Sequence, residues 1–163
     1  MKACPMSDLA HSLTISRLIA APPSVVWQAW SKPDHLARWW IPAPLECKVV
    51  QLDLRPGGGF ETLMRERDGA FQPHVSGCFL EVIPERRLVF TTCLGADWQP
   101  LEPWLALTTI LDFNAEGAGT RYDARVLHKT AADAAKHAEM GFEAGWGMVL
   151  DQLAAHVHNT GAP

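Results

Sequence analysis

The feature that most constrains this chain is a long amphipathic segment near its C-terminus. Between Ala131 and His158, apolar side chains recur every three or four residues, as on one face of an α-helix. That stripe consists of Ala138, Phe142, Trp146, Val149, Leu153 and Val157. Thr130 and Asp133 form a capping pair at its start, and Gly161 and Pro163 follow as stop signals. We therefore predict one continuous helix over 131–158, which must bury its stripe against a sheet.

Most of the preceding sequence has the two-residue period of β-strands. The strand-like segments are residues 11–20, 45–54, 60–66, 74–83, 88–94, 104–113 and 120–128. Short turns rich in Gly, Pro and Asp join several of them, which predicts antiparallel pairing. In the last segment, every second residue from Tyr122 to His128 shares one face, so one side of the sheet is expected to be buried.

Residues 22–40 interrupt the strands with two short helical segments dense in tryptophan. The first carries Val26, Trp27 and Trp30, and the second carries Leu36, Trp39 and Trp40. We predict an α+β fold in which a curved antiparallel sheet wraps around the long C-terminal helix, with the two short helices after the first strand. Residues 1–10 are expected to form a flexible tail, and residues 11–163 a single domain.

Composition excludes several function classes. The 163 residues carry a net charge of −4 without a Lys/Arg cluster, which argues against nucleic acid or a membrane as partner. No apolar run approaches the ~18 residues of a membrane span, and residues 1–11 lack a signal-peptide core, so a cytoplasmic protein is expected.

The four cysteines have no metal-binding spacing. Cys47, Cys78 and Cys93 lie in strand-like apolar stretches, whereas Cys4 lies in the tail. We predict four free thiols, three of them in the core.

Four segments, taken in order, resemble the bacterial proteins of the heat-shock protein 90 ATPase activator homologue family. They are Arg17 to Pro42 with its Ala21-Pro22-Pro23 and Trp39-Trp40 motifs, Leu54-Arg55-Pro56-Gly57-Gly58, Gly77 to Thr91 with Glu81-Val82-Ile83-Pro84, and Gly141 to Leu153 with Gly145-Trp146. The resemblance implies membership of the START-like, or SRPBCC, superfamily and its helix-grip (Bet v-like) fold. It also implies a deep cavity between the sheet and the C-terminal helix, which the superfamily uses for apolar molecules.

Bulky aromatic residues from three separate segments are expected to meet at such a cavity. The predicted ligand-binding residues are Trp39, Trp40, Phe60, Met64, His74, Trp98, Trp104, Glu139, Phe142 and Trp146. The loop from Gly95 to Pro103 is expected at the mouth, with the Trp98 ring over the opening.

The motifs for common chemistries are missing or incomplete. The Gly57–Gly59 triplet lacks a following Lys-Ser/Thr, so a tight turn is favoured over phosphate binding. His156 and His158 point about 200° apart on a helix and cannot chelate one metal together, so a solvated helix end is favoured. We assign no catalytic residue, no metal and no cofactor.

Polar residues near the predicted inner face admit two interpretations. His74 and His128 are more typical of satisfied core or rim histidines than of catalytic ones. Glu139 lies close to the apolar stripe in helical angle. Either the first turns of the helix extend past the sheet and leave it in water, or its carboxylate faces the cavity mouth, where burial would raise its pKa.

Three glycines in the predicted helix, Gly141, Gly145 and Gly147, break a local rule, since each costs roughly 1 kcal/mol against alanine. Either another element crosses the helix at close range, or the missing side chains leave cavity volume.

Three functions follow from these observations and from the resemblance. The first is a module that binds a hydrophobic small molecule in the cavity, as a monomer or homodimer. The second is a regulator of a chaperone or another protein partner through its surface. The third is a cyclase- or hydrolase-like enzyme that uses the same cavity.

Overall fold

The computed structural model of the chain describes residues 11–160. The predicted tail at residues 1–10, Cys4, and the stop signals Gly161 and Pro163 lie outside the described residues. Within the described range, the order of elements is a strand, two short helices, six strands and a helical C-terminal region. This order and the α+β fold class agree with the sequence-based prediction.

Seven strands form one fully antiparallel sheet in the order β1-β7-β6-β5-β4-β3-β2. They are β1 (Ser12–Ile19), β2 (Glu46–Leu52), β3 (Gly59–Arg65), β4 (Gln72–Ile83), β5 (Arg87–Thr91), β6 (Leu107–Glu116) and β7 (Gly119–His128). Register shifts interrupt the β2–β3, β3–β4 and β4–β5 pairings. Such bulges bend a strand locally, which helps this half of the sheet to curve around the helices.

The C-terminal region is two helices rather than the predicted continuous one. Helix α3 spans Ala131–Glu139 and helix α4 spans Phe142–Thr160, after the short helices α1 (Pro23–Ser31) and α2 (Pro33–Leu36). Between them, Gly141 adopts a φ of +98°, which is incompatible with α-helix and favours glycine. The hydrophobic period continues across this break, so periodicity alone predicts one helix, and Gly141 itself is the only local sign of the break.

The predicted stripe is buried only within α4. Phe142, Val149, Leu153 and Val157 are buried and Trp146 is half-buried, whereas Ala138 is exposed on α3. The break in the helix explains the difference, because α3 is no longer in phase with the buried face of α4.

Two strand ends also differ from the prediction. Strand β5 ends at Thr91, so Cys93 lies in the β5–β6 loop and is exposed rather than in the core. Strand β6 begins only at Leu107, which leaves Trp104 in the same loop. Cys78 is buried and Cys47 half-buried, and burial raises the pKa of the Cys47 thiol to about 11. All three described cysteines are free thiols.

A cluster of aromatic rings centred on Trp30 fills the space between the sheet and the helices. The Trp30 ring lies 5.2 Å from Trp39, 4.9 Å from Trp40, 6.1 Å from Phe60 and 6.4 Å from Phe90, measured between ring centroids. Trp30, Trp39 and Phe60 are fully buried. The cluster therefore joins α1 and the segment after α2 to strands β3 and β5.

Replacing Tyr122 with phenylalanine tests how much this cluster depends on its polar contacts. The Trp30 indole N–H donates to the Tyr122 hydroxyl at 3.2 Å, and both side chains are buried. Tyr122→Phe keeps the ring but leaves that N–H without an acceptor, so we expect the free energy of unfolding to fall by about 1–3 kcal/mol. Urea denaturation measures the change. A loss below about 0.3 kcal/mol would show that the bond contributes nothing net.

Candidate functional site

A cavity of about 290 Å³ lies between the inner face of the sheet and the C-terminal helices. Strands β4, β5 and β6 supply one wall, and the α3–α4 junction with the first turns of α4 supplies the opposite one. Trp40 and Pro42, from the segment after α2, close a third side. The wall is mostly apolar, and no Lys, Arg, Asp or Glu side chain belongs to its described lining. The cavity therefore suits an apolar molecule.

Two exposed apolar residues flank the cavity. Trp104 in the β5–β6 loop is 73% exposed, and Met140 at the helix break is 51% exposed. Both belong to the cavity lining, on opposite sides. Because each also faces water, we place the mouth of the cavity between them.

Trp40 is the central residue of the wall. Its ring centroid lies 6.2 Å from His74, 6.2 Å from Phe90 and 6.1 Å from Trp146, and all four residues line the cavity. Its neighbour Trp39 points into the core, where its indole N–H donates to the carbonyl of Ala29 at 3.0 Å. Anchoring Trp39 in this way fixes the position from which Trp40 reaches the cavity.

The side chain of Gln152 on α4 holds residues 39–43, the segment that carries Trp39 and Trp40, by hydrogen bonds. Its Nε2 donates to the carbonyls of Trp39 at 3.0 Å and Ile41 at 2.9 Å. Its Oε1 accepts from the backbone N–H of Ala43 at 2.7 Å. One amide thus satisfies three backbone groups of a segment that has no regular secondary structure.

His74 lines the cavity as an uncharged imidazole. Burial lowers its pKa to about 4, far below the usual value for histidine. Its Nδ1 lies 3.0 Å from the Thr62 hydroxyl oxygen, which also accepts from the backbone N–H of Val75 at 3.3 Å. The strand pair β3–β4 therefore holds the ring in place without giving it a charged partner.

A second histidine of the wall, His137, belongs to a hydrogen-bonded pair. Its Nδ1 lies 2.8 Å from Nε2 of His128, while Nδ1 of His128 lies 3.1 Å from the carbonyl oxygen of His11. A carbonyl can only accept, so Nδ1 of His128 donates to the carbonyl of His11. Burial, and then the His128 ring, lowers the pKa of His137. His128 is buried, as the strand pattern predicted.

His156 and His158 differ from each other. His158 is exposed, but His156 is half-buried and its Nε2 lies 3.0 Å from Nδ1 of His35, which corrects the prediction of a solvated helix end. Burial, and then the charges of His35 and Arg38, lower the pKa of His156. Within residues 11–160, no group of three or more His, Cys, Asp or Glu side chains is placed to hold a metal ion.

Half of the predicted ligand-binding residues line the cavity. They are Trp40, His74, Trp104, Phe142 and Trp146. They come from the segment after α2, from β4, from the β5–β6 loop and from α4, so the predicted convergence of aromatic residues from separate segments occurs.

The other five do not line it, for three reasons. Trp39 and Phe60 are fully buried behind Trp40, and Met64 packs against the core from β3. Glu139 is exposed at the end of α3, as the first alternative expected, although α3 packs against β1 and β7 and does not extend past the sheet. Trp98 lies over the glycine turn rather than over the cavity, since a Cβ on Gly57 would come within 2.7 Å of its ring.

The three glycines of the C-terminal helices have different roles. Gly141 breaks the helix, and a Cβ on Gly147 would meet only the guanidinium end of Arg17 at 3.3 Å. Gly145 lies inside α4 and lines the cavity, and a Cβ placed there would meet no atom within 4 Å other than its chain neighbours and the nearby helix backbone. No close crossing therefore requires a glycine at 145, and its missing side chain leaves cavity volume.

Sequence reasoning missed three residues of the site. They are Gln152, which holds residues 39–43, and Thr109 and His137, which line the cavity. Gln152 reads as a polar position beside the apolar stripe, and its three partners are more than 100 residues away in sequence. Thr109 carried one available signal, because the strand alternation places it on the inner face with Leu111 and Phe113.

The topology and the cavity define the class of protein to which this chain belongs. A seven-stranded antiparallel sheet, with two short helices after its first strand and a C-terminal helix across its inner face, is a helix-grip domain. Over residues 20–158 the sequence matches the family model described as Activator of Hsp90 ATPase homolog 1-like protein. The chain belongs to that family. No helix among the described residues is long and apolar enough to cross a membrane.

Solved structures agree with this assignment. Protein NE0264 from Nitrosomonas europaea is 36% identical, with a TM-score of 0.86 over 96% of this chain and 99% of its own. Protein Ms6760 from Mycobacterium smegmatis is 25% identical, with a TM-score of 0.75 over 91% of each chain. The AHSA1-like protein from Aeromonas hydrophila is 25% identical, with a TM-score of 0.69 over 92% of this chain and 94% of its own. No curated protein matches the sequence significantly.

The buried histidines make stability depend on pH. Unfolded histidine titrates near 6.5, whereas folded His74 titrates near 4, so between these values the unfolded state binds more protons. The pKa values of His137 and His156 are shifted in the same direction. We expect the free energy of unfolding to fall between pH 7.5 and pH 5.0, with roughly 1–2 kcal/mol of the loss due to His74. Urea denaturation at the two pH values measures it.

Two variants isolate that contribution. His74→Gln cannot take up a proton, so its loss of stability between pH 7.5 and pH 5.0 should be smaller than that of the native protein. His158→Gln removes an exposed histidine and should leave the loss unchanged. An equal pH dependence in the native protein and in His74→Gln would contradict the assignment.

Gln152→Met tests whether the hydrogen bonds of Gln152 hold residues 39–43 in place. Methionine keeps most of the side-chain length but removes three hydrogen bonds to Trp39, Ile41 and Ala43. Because two carbonyls and one N–H lose their partner, we expect about 2–4 kcal/mol of destabilisation, together with faster hydrogen exchange in residues 39–43. Unchanged exchange there would show that other contacts hold the segment.

Proposed function

We propose that this domain binds a hydrophobic small molecule in the cavity between its sheet and helix α4. The cavity of about 290 Å³ lies at the lower end of the range for small-molecule sites, which favours a molecule about the size of a substituted naphthalene. Its wall is mostly aromatic and aliphatic and carries no acidic or basic side chain other than the two neutral histidines.

The observation that carries this proposal is the open space at Gly145. A glycine inside a helix costs about 1 kcal/mol relative to alanine. A close neighbour from another element would be a packing reason for the glycine, yet no such atom lies within 4 Å of the Cβ position here. A protein under no demand except stability would gain from a side chain at this position. Empty volume at the wall of an apolar cavity is what a bound molecule requires.

Residue 145 gives a direct test of this proposal. Gly145→Ala should raise the free energy of unfolding by up to about 1 kcal/mol while weakening ligand binding, and Gly145→Leu should fill the cavity and abolish binding. The probe is 2-ethylnaphthalene, and isothermal titration calorimetry measures its binding. We expect a Kd below about 100 μM for the native protein, equivalent to roughly −5.5 kcal/mol.

Ala144→Leu is the matched control, because Ala144 is exposed on the neighbouring position of the same helix. It should leave the Kd unchanged. Equal affinity of native protein and Gly145→Leu would show that the probe binds elsewhere.

Regulation of a chaperone is a second candidate, which the description of the matched family suggests. In this chain it is favoured by the β5–β6 loop, where Trp98, Leu101 and Trp104 are exposed. Apolar side chains grouped on one exposed loop are typical of a surface that contacts another protein. A purified bacterial Hsp90 whose ATPase rate rises with this domain, but not with a Trp98→Ala/Leu101→Ala variant, would support it.

A further inference from the structure

Two residues that line the cavity each carry a buried polar atom with no hydrogen-bond partner among residues 11–160. The atoms are Nε1 of Trp40 and Oγ1 of Thr109. Trp40 is 6% exposed and Thr109 is 0% exposed, so bulk water does not reach their side chains freely. Both residues line the cavity. An unpaired buried N–H or O–H costs about 1–3 kcal/mol, so each calls for an explanation.

Trp40 is the exception among the three buried tryptophans. Trp30 donates its indole N–H to the Tyr122 hydroxyl, and Trp39 donates its own to the Ala29 carbonyl. The fold thus supplies an acceptor for each tryptophan that points into the core. It supplies none for the tryptophan that faces the cavity.

Thr109 is likewise the exception among the four buried threonines. The Thr62 hydroxyl bonds with His74, that of Thr91 donates to the Leu107 carbonyl, and that of Thr120 donates to the Ala21 carbonyl. A threonine can hide an unused hydroxyl by bonding to its own strand, but Thr109 does not. Its hydroxyl is left free on the inner face of β6.

The third unpaired atom of this kind in the described residues has a different setting. It is Nε of Arg87, which lies outside the cavity lining. Two carboxylates lie beside the Arg87 guanidinium. Its Nη1 is 3.3 Å from Oδ1 of Asp112, and its Nε is 3.7 Å from Oε2 of Glu81. The other two unpaired atoms both belong to residues that line the cavity.

Phe90 brings Trp40 and Thr109 to the same part of the wall. Phe90 and Thr109 are direct cross-strand partners in the β5–β6 ladder, so their side chains project from the same face. The Trp40 ring lies 6.2 Å from the Phe90 ring. Trp40 and Thr109 thus flank a single phenylalanine.

We propose, building on the proposed function, that the ligand is an uncharged aromatic molecule with an oxygen acceptor, such as an aryl ketone. Its oxygen accepts hydrogen bonds from the Trp40 indole N–H and the Thr109 hydroxyl. An indole N–H is only a donor, and a hydroxyl can turn to donate, so one acceptor atom suits both. The aromatic part of the ligand lies against Trp146 and Phe142.

The absence of charge from the wall excludes a carboxylate as the preferred group. No Lys or Arg belongs to the described lining, and the lowered pKa values of His74 and His137 leave both rings neutral at pH 7. A carboxylate transferred into such a wall would lose its hydration without gaining an opposite charge. A ketone oxygen loses far less hydration and keeps two hydrogen bonds.

Three probes of one shape separate these properties. They are 2-acetylnaphthalene, 2-ethylnaphthalene, which lacks the oxygen, and 2-naphthoate, which carries a negative charge. At pH 7.5, isothermal titration calorimetry should give 2-acetylnaphthalene a Kd at least about fivefold below that of 2-ethylnaphthalene. The Kd of 2-naphthoate should be at least about tenfold above that of the ketone.

The variants assign the preference to the two residues. Thr109→Val keeps the shape of the side chain and should reduce the ketone-to-ethyl preference about fivefold, with little effect on the 2-ethylnaphthalene Kd. Trp40→Phe should reduce it similarly, although it also enlarges the cavity. Thr109→Ser keeps the hydroxyl and should retain the preference. This rescue separates a hydrogen bond from a general effect on packing.

The outcomes distinguish this inference from the proposed function on which it rests. If 2-ethylnaphthalene binds and the ketone gains nothing from Thr109, the cavity binds apolar molecules but the two polar atoms serve another purpose, such as holding a water. If 2-naphthoate binds as tightly as the ketone, the inference of an uncharged ligand is wrong. If none of the three probes binds, the proposed function fails, and this inference fails with it.

Discussion

The burial of Trp30 is the constraint on which the rest of the structure depends. Its ring contacts Trp39, Trp40, Phe60 and Phe90, and its N–H bonds to the hydroxyl of Tyr122. These residues belong to strands β3, β5 and β7 and to the segment after α2, so one side chain in α1 sets the distance between layers. With that distance fixed, Trp39 points into the core and Trp40 points toward the cavity.

The break at Gly141 is the second determinant, because it lets the C-terminal helices do two different things. Helix α4 lies in the curve of the sheet and buries Phe142, Val149 and Leu153. Helix α3 turns away from that axis, which places His137 beside His128 and leaves Met140 half in water. A continuous helix would have carried Glu139 near the apolar stripe. Because Gly141 has a positive φ, the helix ends there and Glu139 lies at the surface. The same break leaves the mouth of the cavity open between Met140 and Trp104.

Local patterns predicted the fold, and long-range contacts explain what they missed. The alternation in β7 and the glycine turn before β3 depend on neighbouring residues, so the strands and the antiparallel order could be predicted from sequence. The hydrogen bonds of Gln152 join residues more than 100 positions apart and have no local signature. The prediction that Trp98 lies over the cavity mouth rests on its position between Gly95 and Pro100 in a long loop. Its ring instead packs against Gly57, which leaves room because it has no side chain. In this position both Asp97 and Trp98 adopt an unfavourable positive φ.

Several departures from the rules of stable packing meet at one place. Gly145 lowers helix propensity without a steric reason. Trp40 and Thr109 bury polar hydrogens without acceptors. Burial lowers the pKa of His74 to about 4, so its ring is uncharged. The glycine and the two unpaired groups each reduce the free energy of unfolding by a modest amount, and elsewhere in the same core tryptophans and threonines are paired. Stability alone does not explain why such exceptions should all line one cavity. A bound uncharged molecule that fills the volume and accepts the two hydrogen bonds would explain them together, because the open space at Gly145 and both unpaired groups then become contacts.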